Sequence, residues 1–372
     1  STYDTDETRP ISIMSTEPIR FSFSSVIVPS LSDRTQEASS CTPGTFHRLN
    51  VPAESGCCAD GQRSHAGQSS QFRALRASDS NGGVDIVIDS VRVESGNNRV
   101  TMTTFSFATS AIGNPSSARF AVEWAIEHGF GGVEFNAPRI RLVDLSQAER
   151  GWLLEMAREH DLSYTHHAPT SLLPASHDPG TRERDLAELI DEIKVAGDLG
   201  VEVIILHPGK LDVPGIEPEE ASEAERAAGM SHYLDFVSAA APVAGSSGVV
   251  IGLENMHYNP GWVIRSHGEL ADSVDAVASP AVGITFDVGH AWGSGGVVAG
   301  IETFGDRIAH VQVHDARGPE GAGNVRDQHM EVGTGILDFR SVGELVKSNE
   351  FVVALETSAR LADPGAAVMR SR

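Results

Sequence analysis

From Met102 onward one pattern recurs eight times: a short apolar run ending in a polar residue, then Gly, Pro or acidic turn residues, then a stretch with apolar residues three and four apart. The runs fall at 103–109, 132–137, 163–167, 202–207, 249–256, 283–290, 308–315 and 351–357. Helical spacing lies between them near 116–128, 146–160, 181–199, 218–244, 267–278, 297–305 and 338–348. Most runs are continuously apolar rather than alternating, which marks strands buried on both faces of a parallel sheet. Eight strands alternating with helices, in a segment of roughly 270 residues, predict closure into a (β/α)8 (TIM) barrel. The expected fold class is therefore α/β, with residues 102–372 as the barrel domain. Little chain follows the last run, so the closing helix is expected to be short.

Residues 1–101 differ in character. They are rich in Ser, Thr, Gly and Arg and carry no sustained period. Two runs, Phe21–Val28 and Val84–Val93, read as strands without a clear partner. The segment is expected to be a disordered N-terminal extension, or upstream sequence outside the native product. All three cysteines (Cys41, Cys57 and Cys58) lie within it, so a metal site in the barrel must use His, Asp and Glu.

The chain carries 51 acidic and 28 basic residues, a formal charge of −23, and only three of the basic residues are lysines: Lys194, Lys210 and Lys347. Such a surface repels phosphate backbones, so broad electrostatic binding of nucleic acid is disfavoured. It fits instead an acid-rich proteome adapted to salt. No apolar run approaches membrane-spanning length, and no basic region followed by an apolar stretch opens the chain. A cytoplasmic protein without a membrane partner is the expectation.

In a barrel of this kind, function collects where strands end and βα-loops begin. Five consecutive runs end on a possible metal ligand: His207, Glu254, Asp287, His314 and Glu356. A carboxylate at the end of an apolar strand costs several kcal/mol unless it is paired or bound to a cation. Lys and Arg are scarce near these positions, so a divalent metal held by Glu254, Asp287, His314 and Glu356 is expected. His167 ends the third run, His290 follows Asp287 by three residues, and Asp327 and His329 project to one side of the loop after the seventh run. By contrast, His128, His160, His166 and His232 read as surface or helix residues. His310, at the start of its strand, reads as a structural hydrogen bonder. Glu134 is expected either to face the cavity or to pair with a neighbouring charge.

The motifs His-Ala-Pro, Leu-His-Pro-Gly, Leu-Glu-Asn, Phe-Asp-Val-Gly-His, Val-His-Asp, Asp-Gln-His…Gly-Thr-Gly and Leu-Glu-Thr, in this order over residues 103–357, resemble the xylose-isomerase-like barrel superfamily. That superfamily contains sugar isomerases and epimerases and the endonuclease IV family of AP endonucleases. The resemblance to the epimerase branch implies one divalent ion on Glu254, Asp287, His314 and Glu356, with the two glutamates moving the substrate proton and His290 contacting the sugar. The resemblance to endonuclease IV implies three zinc ions on His167, His207, Glu254, Asp287, His290, His314, Asp327, His329 and Glu356. Every one of these positions holds the required residue type.

Departures separate the branches. The nucleases lead one to expect Asp-Arg-His where this chain has Asp327-Gln328-His329, and the turn after Glu254 lacks their small residues. Residues 1–100 hold 12 acidic and 9 basic residues, leaving 39 against 19, or −20, and no basic stripe for phosphates. The expected activity is therefore a divalent-metal-dependent isomerase or epimerase of carbohydrate metabolism, acting on a sugar or sugar-like polyol by enediolate proton transfer between Glu254 and Glu356. In this reading His290 and Arg317 orient substrate oxygens, and one ion of Mn, Co, Zn or Mg serves as Lewis acid. The alternative is a zinc phosphodiesterase acting on abasic-site DNA with up to three zinc ions. A non-catalytic sugar-binding scaffold is disfavoured by the complete proton-transfer pair. Substrate specificity is expected in loops 169–180, 208–218, 256–266 and 316–336, and a homo-oligomer is compatible with the fold.

Overall fold

The computed structural model describes residues 103–372 apart from 114, 116, 322–327 and 359–362. The N-terminal extension, with its two strand-like runs, and Asp327 thus lie outside the described residues. Eight parallel strands form one sheet: β1 (Thr104–Phe107), β2 (Gly132–Asn136), β3 (Ser163–His167), β4 (Val201–Leu206), β5 (Val250–Glu254), β6 (Val282–Asp287), β7 (Ile308–Val313) and β8 (Val352–Leu355). Their order is β1-β8-β7-β6-β5-β4-β3-β2. The ring is brought nearly to closure between β1 and β2 by a parallel bridge from Ala108 to Glu134 and by the Gly131 N–H donating to the Phe105 carbonyl at 2.9 Å. All eight expected strands are present.

The helices are α1 (Ala118–His128), α2 (Gln147–His160), α3 (Pro179–Leu199), α4 (Glu223–Ser247), α5 (His267–Val277), α6 (Val288–Ser294), α7 (Val297–Phe304), α8 (Arg340–Lys347) and α9 (Pro364–Ser371). Local chemistry sets their starts. Ser146 and Ser222 each form a capping box with the glutamate three residues on, and Asp178 caps α3 ahead of a proline at its first position. Gly200 and Gly248, at φ +70° and +71°, take the left-handed turn that returns α3 and α4 to the following strands. The closing helix α9 has eight residues, short as the sequence predicts. Among the described residues no helix is long and apolar enough to cross a membrane.

One element differs from the expected pattern. The sixth apolar run does not continue as strand to His290. It stops at Asp287, whose carboxylate accepts the His290 N–H at 2.7 Å and so starts helix α6. An aspartate satisfying the first free N–H groups of a helix outweighs strand propensity at that point.

Strand alternation sorts the side chains. On β3, Tyr164 and His166 point toward the helices, and Thr165 and His167 toward the barrel axis. His166, expected on a surface or a helix, is instead a fully buried strand residue 3.4 Å from Glu192 of α3. The outer layer is apolar, with Phe107, Phe135, Phe286 and Phe304 buried among Leu, Ile and Val side chains. The axis is polar. Glu134 receives hydrogen bonds from Gln312 at 3.0 Å and Thr165 at 3.4 Å, and lies 2.9 Å from His310. Glu134 thus pairs with its neighbours across the barrel, and His310 is the structural partner expected. This polar plug forms the floor beneath the strand ends.

Candidate metal centre

The mouth of the barrel encloses a cavity of about 220 Å³ lined by Ser110, Asn136, Ala137, His167, Thr170, His207, Glu254, Met256, His290, His329 and Glu356. Three overlapping groups of potential ligands meet there, each with its donor atoms within 4.8 Å of one another: His167, His207 and Glu254; Glu254, Asp287 and His290; and His290, His314 and His329. Glu254 joins the first two groups. Its Oε2 lies 3.0 Å from His207 Nε2 and 3.4 Å from His167 Nε2, and its Oε1 lies 3.0 Å from His290 Nδ1. Asp287 lies 3.1 Å from His314 Nε2.

The quartet Glu254, Asp287, His314 and Glu356, read from the strand ends as one cage, is not itself one of these tight groups. Glu356 lines the cavity beside His329, 4.0 Å away. Arg317, expected to orient substrate, does not line the cavity. Its guanidinium donates to the Thr334 carbonyl at 3.1 Å on the exposed loop after β7.

The histidines are oriented by the main chain. Nδ1 of His167 faces the Ala168 carbonyl at 2.9 Å, Nδ1 of His314 the Asp315 carbonyl at 3.2 Å, Nδ1 of His329 the Glu356 carbonyl at 2.6 Å, and Nδ1 of His290 the Asn255 carbonyl at 3.1 Å. A carbonyl oxygen only accepts, so each Nδ1 is the donor and Nε2 is the ring atom left to face an ion. Histidines that ligate metals are held in this way. His329 is held in the left-handed region at φ +40°, a conformation that costs a non-glycine residue roughly 1–2 kcal/mol.

The carboxylates point to the same need. Glu254 Oε2 and Asp287 Oδ2 are buried, yet no properly directed hydrogen bond from a described residue reaches either; the nearby imidazoles contact them without alignment. Burial would raise the Glu254 carboxyl, but the His207 charge and contacts with His167, His207 and His290 hold it well below the usual range. Burial, followed by the charges of Glu134 and Glu254, pushes Glu356 well above it. Buried carboxylates this close do not all ionise without added positive charge, and among the described residues no Lys or Arg lines the cavity. One or more divalent cations fit this donor set, and its mixture of imidazole and carboxylate suits Zn²⁺, Mn²⁺ or Co²⁺.

Sequence reading missed several contributors. Asp315 accepts main-chain N–H groups from Ala316, Gly333, Gly335 and Leu337 at 2.8, 3.0, 2.8 and 3.2 Å, which folds the segment after His329 back onto the strand end. Asn255 clamps β5 to β6 through reciprocal bonds with the Asp287 backbone at 2.8 and 2.9 Å. The Val-His-Asp, Gly-Thr-Gly and Leu-Glu-Asn motifs carry these anchors beside the ligands. His257, 5.4 Å from the His290 ring, and the wall residue Ser110 had no strand-end signal to mark them as site residues, and Asn136, which ends β2, escapes notice because a neutral amide is not a metal-ligand type.

Comparison with known proteins places these features in context. Residues 122–372 match the xylose isomerase-like TIM barrel family. The chain is 30% identical over 237 residues to an uncharacterized protein of Methanocaldococcus jannaschii, across 63% of this chain and 76% of that protein. It is 31% identical over 181 residues to a probable endonuclease 4 of Oleidesulfovibrio alaskensis, across 44% of this chain and only 56% of that protein's length. A solved D-tagatose 3-epimerase-like protein matches with a TM-score of 0.60 at 25% identity, across 71% of this chain and 94% of that one.

Proposed function

This chain belongs to the xylose isomerase-like TIM barrel family, and from that membership we propose that it is a divalent-metal-dependent enzyme whose centre takes more than one ion and hydrolyses a phosphoester of a sugar-bearing substrate. An abasic site in duplex DNA is the first substrate to test. The observation that supports the reading is the surplus of oriented histidines. The single-ion reading uses only Glu254, Asp287, His314 and Glu356, whereas His167, His207, His290 and His329 have donor atoms in groups of ligand spacing with Glu254, Asp287 and His314. Similarity to a probable endonuclease 4 points the same way.

His167, His207 and Glu254 would hold one ion, Glu254 with Asp287, His314 and Glu356 a second, and His290 with His329 a third. When bound, such ions supply an electrophile for phosphate oxygens and make a water acidic enough to attack near neutral pH. Glu254, common to two of the ligand groups, would be the carboxylate shared between them. Asp287 would share an ion with His314, whose Nε2 it faces, while capping α6. Glu356, at the cavity edge, is the carboxyl that burial and the charges of Glu134 and Glu254 make most basic, and it would serve as the group that holds a proton there. The polar plug around Glu134 closes the cavity from below and keeps bulk water on the mouth side.

A second reading is isomerisation or epimerisation of a sugar at a single ion, with Glu254 and Glu356 exchanging the proton alpha to the carbonyl. The likeness to a D-tagatose 3-epimerase-like protein favours it. Elemental analysis of metal per chain, run beside cleavage of an abasic-site duplex and deuterium uptake into D-tagatose, separates the two. Two or more ions with cleavage supports hydrolysis. One ion at saturation, with solvent deuterium in the ketose and an intact duplex, rejects it.

A further inference from the structure

The cavity has two chemically different walls. Strands β3 to β8 supply the ligand side, while the segment after β1 and the end of β2 supply a side with no titratable group: Ser110, Asn136 and Ala137. On that side the Asn136 amide is fixed. Its Oδ1 accepts the Ser110 N–H at 3.2 Å and the Thr109 hydroxyl at 3.0 Å, and Thr109 Oγ1 in turn accepts the Asn136 N–H at 3.0 Å. A main-chain N–H only donates, so the amide atom facing Ser110 N is the oxygen. The Nδ2 group, with two N–H donors, is therefore the end turned away, in a residue 8% exposed that lines the cavity. Beside it, Ser110 Oγ is buried at the cavity wall without a hydrogen-bond partner among the described residues. Buried polar atoms are almost always satisfied, and a fixed donor next to an unsatisfied hydroxyl marks a position where a ligand oxygen completes the set.

We infer that Asn136 and Ser110 form a neutral recognition subsite for the sugar moiety of the substrate, taking a hydroxyl or ring oxygen while the charged group sits against the opposite, ligand-bearing wall. The inference rests on the reading of that wall as a divalent-metal site for a phosphorylated sugar. Uncharged donors suit an uncharged oxygen. Ala137, next in the chain, offers apolar surface on the same wall, and Met256 offers it elsewhere on the cavity lining. The pair fixes which part of the substrate lies across from the reacting phosphate, so Asn136 and Ser110 are specificity determinants and take no part in the proton transfer.

The test compares binding of inorganic phosphate and of 2-deoxyribose 5-phosphate to the metal-loaded full chain by calorimetry, in the wild type, Ser110→Ala and Asn136→Ala. Ser110→Ala removes a hydroxyl that makes no hydrogen bond to a described residue, so fold and metal content are expected to stay as in the wild type. The wild type is expected to favour the sugar phosphate by about tenfold or more over phosphate, and each variant to lose most of that preference, in line with a site whose polar groups lose their ligand partner. Phosphate affinity and ions per chain are expected to stay unchanged in Ser110→Ala, a split that a purely structural role does not produce. Retention of the full sugar preference by either variant overturns the subsite. A wild type that fails to bind phosphate at all overturns the reading of the metal wall and the subsite with it.

Discussion

His167 shows at the scale of one residue how the centre couples protons to cations. Burial lowers its pKa, but the close carboxylate of Glu254, with the charges of Glu356 and Glu134, outweighs burial and pushes it up to about 9. Nδ1 is committed to the Ala168 carbonyl, so the proton that comes and goes is on Nε2, the atom facing Glu254. A cation must displace that proton to reach the lone pair. Metal affinity is therefore expected to rise with pH up to about 9 and to level off above it, with about one proton released per chain from this residue. Calorimetric metal titrations of the stripped protein in buffers of different ionisation enthalpy measure the release. A pH-independent affinity between 6 and 9 would remove His167 from the ligand set. In His167→Ala the slope is expected to flatten and bound metal to fall by about one ion per chain.

At the scale of elements, two contacts hold the ligands in register from outside the ligand set. Gly289 lies in the first turn of α6, where a Cβ would overlap the His314 imidazole. Gly289→Ala should displace the ring, with an overpacking cost of about 1–3 kcal/mol, and lower metal content without altering any ligand. Gly268→Ala, with open space around it, is the control. Equal metal content in both variants would show that α6 has no part in placing His314.

Glu192 of α3 accepts the Leu142 N–H at 2.9 Å, lies 3.4 Å from both Arg141 and His166, and so ties the loop after β2 to the outer layer. Burial raises its carboxyl, yet the His166 contact, Leu142 and Arg141 bring it below 4.5. A depressed carboxyl contributes stability that is present above its unfolded value and lost as pH falls through its folded value. Glu192→Gln is accordingly expected to cost about 1–3 kcal/mol at neutral pH. The gap to the wild type should narrow below pH 4.5 in denaturant titrations, and a gap constant with pH would contradict this assignment. This pair also shows where sequence reading stops. All eight strands and the His, Asp and Glu residues that end them were legible, because an apolar run and the residue that closes it are local. That His166 points outward to Glu192, and that Asp287 ends its strand by capping a helix, depend on register and on competition between elements, and adjacent histidines look alike in a string of letters.

For the whole molecule, the barrel's charge of −20 meets the proposed substrate head on. Many of the barrel's cations are already committed to carboxylates, as in Arg307 with Asp275, Arg226 with Glu223 and Glu269, and Arg370 with Glu331. Among the described residues no Lys or Arg lines the cavity, so a phosphate held there would meet its positive charge on divalent ions, within a barrel of net negative charge. Ordinary nucleases lose affinity as salt rises, because they exchange counterions for basic side chains. Here the long-range term has the opposite sign, and screening weakens it: the Debye length falls from about 30 Å at 0.01 M to about 3 Å at 1 M salt. For an abasic-site duplex, kcat/KM is expected to rise with KCl over that range by about tenfold or more before levelling off. Thermal stability should rise alongside it as self-repulsion is screened. For an uncharged ketose the same titration should leave kcat/KM nearly flat. Salt thus reports the charge of the true substrate independently of metal counting. A steep fall in duplex cleavage with salt would mean that phosphate contacts come from basic residues and not from the centre at the strand ends, which would displace the proposed chemistry from Glu254 and its neighbours.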